Sequence, residues 1–217
     1  MTAELRQMAG ILCVSGGNEC AGLPSPVRLE PFSEADFDRL IAWSPSADFL
    51  LQWAGPTFTF PLDRDQLDKY LATARQVPPV CHAFKALGAD EQVIGHVEIG
   101  NLDPRNCSAR LSRVLIGPPD LRGRGLGRQV VRAALKLAFE TLKLHRVDLL
   151  VFDFNTAAIM CYEREGFQHE GTLREARKHG DDYRNVCVMS ILEQEWLRRC
   201  DANAPAIVDS VRNRKNA

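Results

Sequence analysis

The segment richest in possible chemistry is Ile116-Gly117-Pro118-Pro119-Asp120-Leu121-Arg122-Gly123-Arg124-Gly125-Leu126-Gly127-Arg128, which joins a strand-like run to an amphipathic helix. Glycines at 123, 125 and 127 let the backbone approach a ligand closely, and the helix start offers unpaired N–H groups and the positive end of its dipole. With three arginines in the same turn, phosphate or pyrophosphate is the natural guest. Two familiar phosphate-binding turns do not fit. A P-loop has Gly-Lys-Ser/Thr at the helix start, whereas Gly127 is followed by Arg128-Gln129, with no hydroxyl for magnesium. A Rossmann fingerprint follows a first parallel strand and leads to an acidic residue about 20 positions on. Here the turn follows three antiparallel strands. Glycines before a helix also serve tight packing, so the turn alone leaves both readings open.

The elements that must position this turn are legible from periodicity. A short strand covers Val27 to Leu29, and Ser33 caps a helix through Trp43, with Asp36 as a weak capping-box partner. A second helical piece runs from Ala47 to Trp53 and ends at Gly55-Pro56; a third starts at Asp63 and carries Leu67, Tyr70, Leu71 and Ala74 on one face. Alternation then replaces the helical period. Strands are expected at 80–85, at Gln92 to Gly100 and at Ser108 to Ile116, the first two joined by a turn at Gly88 to Glu91, which makes an antiparallel meander. Leu126 to Leu142 is an amphipathic helix whose Arg128, Arg132, Lys136 and Glu140 read as a solvated charged stripe. Arg146 to Phe152 is a buried strand, Asn155 to Glu165 a helix ended by Gly166, and Phe167 to Arg177 pairs with Tyr183 to Leu192 in a last hairpin. Hairpins flanking a strand–helix–strand unit define an α+β, or mixed α/β, domain.

Composition bounds what such a domain can be. The chain has 217 residues, 45% hydrophobic and 25% charged, and its 27 basic and 28 acidic side chains leave a net charge of −1. No global basic field argues for nucleic-acid binding, and no apolar run approaches the roughly 20 residues of a membrane span. Seven cysteines are scattered without a C-x-x-C pair, which fits neither a disulfide framework nor a zinc module. They read as thiols of a reducing cytoplasm, and the short run from Met8 to Val14, broken by Gly10, is a poor signal peptide. Residues 1–25 read as a loosely ordered extension, 26–198 as the domain and 199–217 as a tail.

Against this background the sequence resembles the GNAT superfamily of acyl-CoA-dependent N-acetyltransferases. The family's phosphate loop, Q/R-x-x-G-x-G/A, appears as Arg122, Gly125 and Gly127. Its second landmark, an asparagine at a helix start and a tyrosine before a Gly-Phe step, appears as Asn155, Tyr162 and Gly166-Phe167. The closing hairpin, from Glu170-Gly171-Thr172 through Tyr183-Arg184-Asn185 to Glu195-Trp196, looks like the subgroup of ribosomal-protein N-terminal acetyltransferases. The resemblance covers roughly residues 27–197. It implies a mixed, mostly antiparallel sheet of six or seven strands flanked by helices, with a splayed parallel pair forming an acetyl-CoA cleft. It also implies cofactor contacts at Leu115, Ile116, Gly117, Arg122, Gly123, Arg124, Gly125, Leu126, Gly127, Arg128, Asn155, Ala158 and Tyr162.

The implied reaction moves an acetyl group from acetyl-CoA, without a metal, to an amine. That amine belongs to a small molecule or a protein N-terminus, and the enzyme works as a monomer or homodimer. Asn155 and Tyr162 lie two helical turns apart, about 10 Å along one face. The Tyr162 phenol, protonated at neutral pH, is the candidate donor to the departing thiolate. A core tyrosine and a plain N-cap are the alternative readings of these two residues. Glu98 is the candidate base, because relatives often carry an acid on the corresponding strand; a solvated strand face is its alternative. His82 and His145 are expected at strand or helix edges. Trp43, Phe49, Trp53 and Phe58 either line the acceptor cleft or build core, and Asp63, Asp65 and Asp68 either attract a polyamine or favour a helix start. A non-catalytic acyl-CoA sensor with the same fold is the rival function.

Overall fold

Strand centres that are apolar on both faces need helices above and below the sheet, and the chain supplies them in two groups. The computed structural model describes residues 27–202; the expected extension at 1–25 and the end of the expected tail lie outside them. Seven strands run β1 Arg28–Pro31, β2 Cys81–Leu87, β3 Val93–Asp103, β4 Ser108–Ile116, β5 Arg146–Phe152, β6 Gln168–His179 and β7 Asp182–Leu192. Their order in the sheet is β1-β2-β3-β4-β5-β7-β6, antiparallel except for the β4–β5 pair. Helices α1 (Phe37–Ala42), α2 (Ala47–Ala54) and α3 (Arg64–Ala74) cover one face, burying Phe37, Leu40, Leu50 and Leu67 against Cys81, Ala83 and Leu115. Helices α4 (Leu126–Lys136), α5 (Thr156–Glu165) and α6 (Glu193–Ala202) pack with the other core, where Val130, Leu135 and Trp196 meet Val97, Ile99 and Leu149.

Most expected elements appear within a few residues of their expected bounds, and the departures have local causes. Helix α1 is entered through a 3-10 turn at Glu34–Asp36, where the Asp36 carboxylate accepts the Ser33 N–H at 3.0 Å, so the capping pair is used there. Helix α4 widens into a π-turn at Leu137–Thr141 before Leu142 closes it. Helix α6 runs to Ala202 and buries Cys200, so packed structure continues past residue 198. Cys107 and Cys200 each take part in a disulfide, whereas Cys81, Cys161 and Cys187 are free. The reading of all seven as thiols is thereby corrected: linear spacing carries no information about which sulfurs the fold brings together. His82 is buried within β2 and is not at an edge.

The feature that opens the site is a β-bulge in β4. Glu98 faces Ser112 and His96 faces Leu115, so Arg113 and Val114 together oppose Val97. Arg113 takes a positive φ of 52°. One extra residue reverses the side-chain alternation beyond it. Ala109 and Leu111 accordingly point into the α4–α6 core, while Leu115, of the same parity, enters the α1–α3 core. The bulge also bends β4, whose pairing with β5 is confined to Ser108–Arg146, Ala109–Val147 and Arg110–Asp148. Past Arg110 the two strands diverge.

Candidate active site

The divergence leaves a cleft of about 450 Å³ running from α2 through the sheet to α5. Leu115 and Ile116 line it from β4, Val151 and Phe152 from β5, and Asn155, Ala158 and Tyr162 from α5. A second cavity of about 370 Å³ lies against α3, lined by Phe58, Gln66, Lys69, Tyr70 and Cys81. Thr57, Glu98, Asn101 and Arg113 line both spaces, so the two share a wall. A long cosubstrate and a separate acceptor can meet at such a junction.

The glycine-rich turn follows β4. Gly125 is the N-cap of α4 in the left-handed conformation, φ +80°, which a β-branched residue adopts only with strain. The first turn of α4 closes with the Gln129 N–H on the Gly125 carbonyl at 3.4 Å, so the N–H groups of Leu126, Gly127 and Arg128 stand at the open helix end. Gly117 is required for packing instead, since a Cβ there would fall inside the Trp43 ring. Its N–H is given to the Ile94 carbonyl at 3.0 Å, and it does not line the cleft, unlike Leu115 and Ile116.

The three arginines of the turn have three fates. Arg122 donates to the carbonyls of Ile116 at 2.9 Å and Gly117 at 2.7 Å and lies over Phe49 with its guanidinium 4.7 Å from the ring centre. Arg128 donates to Glu165 at 2.8 Å, and Arg132 reaches the same carboxylate at 3.0 Å. Glu165 is only 1% exposed. The stripe expected to be solvated is thus, at its first two positions, an ion cluster locking α4 to α5; the acid that recruits it lies on another helix and is invisible to the period of α4. Arg124 is exposed, as Arg122 is, but alone of the three has no protein partner among the described residues.

On α5, the Asn155 side-chain oxygen accepts the Ala158 N–H at 3.3 Å, so it is the N-cap and also lines the cleft. Burial raises the Tyr162 phenol above its ordinary pKa, with the neighbouring Cys161 thiol adding to the rise. The hydroxyl therefore keeps its proton at neutral pH. The ring packs edge-on to Phe167 at 5.7 Å, so part of the core reading is also true.

Glu98 is 4% exposed, which removes the solvated-face reading. Oε1 pairs with the Arg113 guanidinium, and Oε2 has no hydrogen-bond partner. Arg113 also donates to Thr57 Oγ1 at 2.5 Å and lies over the rings of Tyr70, at 5.2 Å, and Phe58, at 5.9 Å. His96 beside it accepts from or donates to the Tyr70 hydroxyl at 3.1 Å, and burial, reinforced by the Arg113 charge, drops its pKa to about 3. Phe49 and Trp53 line the cleft and Phe58 the second cavity, whereas Trp43 packs on Gly117. Sequence reasoning does not reach Arg113, Arg177, Tyr70 or Lys69 as site residues. An arginine directly before the apolar run Val114-Leu115-Ile116 of β4 is the one available signal. Among the described residues no His/Cys/Asp/Glu group is arranged to hold a metal, and no helix is long and apolar enough to cross a membrane.

A mixed sheet opened between two parallel strands, with a glycine-rich helix start after the first of them, defines a class: acyltransferases that draw on acyl-CoA. Residues 27–168 match the acetyltransferase (GNAT) domain family, and the chain belongs to it. It is an acetyl-CoA-dependent N-acetyltransferase. Spermidine N(1)-acetyltransferase of Vibrio cholerae is 32% identical over 118 residues, 54% of this chain and 67% of that protein. The Escherichia coli enzyme of the same name is 26% identical over 174 residues, 79% of this chain and 88% of that one. The crystal structure of the Vibrio cholerae spermidine N-acetyltransferase in complex with CoA and spermine matches with a TM-score of 0.69 at 25% identity, covering 79% of this chain and 98% of that one. The family resemblance holds. The narrower likeness to ribosomal-protein acetyltransferases is not what these relatives carry.

Proposed function

We propose that the chain acetylates a primary amine of a small molecule by direct attack on the thioester within a ternary complex. The observation that carries this reading is the continuous wall between the two spaces, which puts Glu98 at the junction of a cleft ending on Tyr162 and a separate cavity against α3. The N–H groups of residues 126–128 and the Arg124 guanidinium would hold the pyrophosphate, and the unpaired edge of β4 at Leu115 and Ile116 would pair with the pantetheine arm. The amine nitrogen bonds to the thioester carbon as the C–S bond breaks. The departing sulfur takes its proton from Tyr162, and the amine loses one to Glu98 Oε2 directly or through water. Arg113 fixes the other oxygen of Glu98 and so orients the free one. Relatives named for spermidine support a small amine over a protein N-terminus.

An amine panel that reports thiol release from acetyl-CoA tests this reading. Turnover with at least one small amine is expected, together with a rise in melting temperature on adding coenzyme A; at 100 times its dissociation constant a ligand adds about 2.7 kcal/mol of stability. A folded protein that binds coenzyme A and acetylates nothing would be the sensor instead.

A further inference from the structure

The kind of amine can be read from the charges around the two spaces, and this step rests on the acetyl-transfer reading above. Glu98 is the single acidic side chain lining either space, and Arg113 already answers its charge. The cations are more numerous. Arg110 is matched by Asp148 at 2.5 Å, and Arg122 is spent on backbone carbonyls and Phe49. Arg177, in the cleft, donates to the Ala176 carbonyl at 2.9 Å, and Lys69 stands on the second cavity within reach of the charge of Asp63; neither is held in an ion pair among the described residues. Asp63, Asp65 and Asp68, the sequence's candidate lure for polyamines, line neither space, and Asp63 is occupied in capping α3 through the Gln66 N–H at 2.9 Å.

A polycation brought to this junction would set its second ammonium among Lys69 and Arg113 with no carboxylate to receive it. An anionic group would meet Lys69, which no ion pair holds and whose acidic neighbour Asp63 lies outside the cavity wall. We propose that the acceptor is a small amine bearing a carboxylate, with Lys69 binding the carboxylate while the amine faces Glu98. The same cations favour the uncharged form of a bound amine, which is the form that attacks. A space of about 370 Å³ suits a compact ligand of this kind.

The test uses matched pairs: amino carboxylates of two to six carbons, each against the diamine of equal length, with spermidine and a short peptide with a free N-terminus as further arms. Wild-type kcat/KM should favour the amino carboxylate by tenfold or more. Lys69→Met should raise KM for that substrate about tenfold while leaving kcat and the KM for acetyl-CoA within twofold; a general loss of structure would not split the constants this way. Lys69→Glu should move the preference toward the diamine. Calorimetric titration of the coenzyme A-loaded protein with the same pairs reads the preference without turnover. Preference for a diamine, spermidine or the peptide, or an unchanged KM in Lys69→Met, overturns the proposal while leaving acetyl transfer intact. Failure of every amine to react overturns both.

Discussion

The proposed chemistry turns on Tyr162. Its phenol holds its proton, lines the cleft and has no hydrogen-bond partner among the described residues. If it protonates the thiolate, Tyr162→Phe should lower the single-turnover rate about 10²–10⁴-fold while acetyl-CoA affinity changes little. A purely structural tyrosine would leave the rate near normal and alter stability by about 1 kcal/mol. Asn155 and Tyr162 are legible in the sequence because one helix carries both, so their relation is a matter of spacing. Glu98 is legible as a residue but not as an environment. Its partner Arg113 depends on a bulge, and a bulge exists only in the register between two strands. Lys69 and Arg177 owe their places to tertiary packing and leave no local sign.

Among the elements, the junction of α4 and α5 separates binding from stability. Glu165→Gln leaves Arg128 and Arg132 facing a neutral group in a buried cluster, and a loss of about 3–5 kcal/mol is expected in urea unfolding. Arg128→Ala should likewise act mainly on stability, whereas Arg124→Ala should weaken coenzyme A binding in a folded protein of unchanged melting temperature. Titration calorimetry distinguishes the two. Gly125→Val should abolish that binding, because the side chain both strains the left-handed cap and blocks close approach. The strands, helices and turn are readable from period and capping. The charged stripe of α4 is not, because periodicity says which residues share a face and nothing about what that face meets.

For the molecule as a whole, buried His96 couples stability to pH. Its folded pKa of about 3 lies below the ordinary 6.5, so between those values the unfolded chain binds the extra proton and the folded one does not. The stability conferred by keeping it neutral is complete above pH 6.5 and declines as pH falls, by up to about 1.4 kcal/mol per pH unit. His82, lowered by burial as well, adds in the same direction. Urea midpoints at pH 7, 6 and 5 should fall accordingly, and His96→Asn should flatten the limb. A last consequence follows from the short β4–β5 pairing, three positions at one end of a long opening. The two half-sheets form a pair of tongs: the fulcrum is at Ala109 and Val147, and the Glu165 cluster ties the two arms through α4 and α5. No backbone hydrogen bond spans their gap past Arg110, so a thioester can lie between them without local unfolding. Amide exchange should then be slow at the fulcrum whether or not coenzyme A is present, and slowed by coenzyme A along Val114 to Ile116.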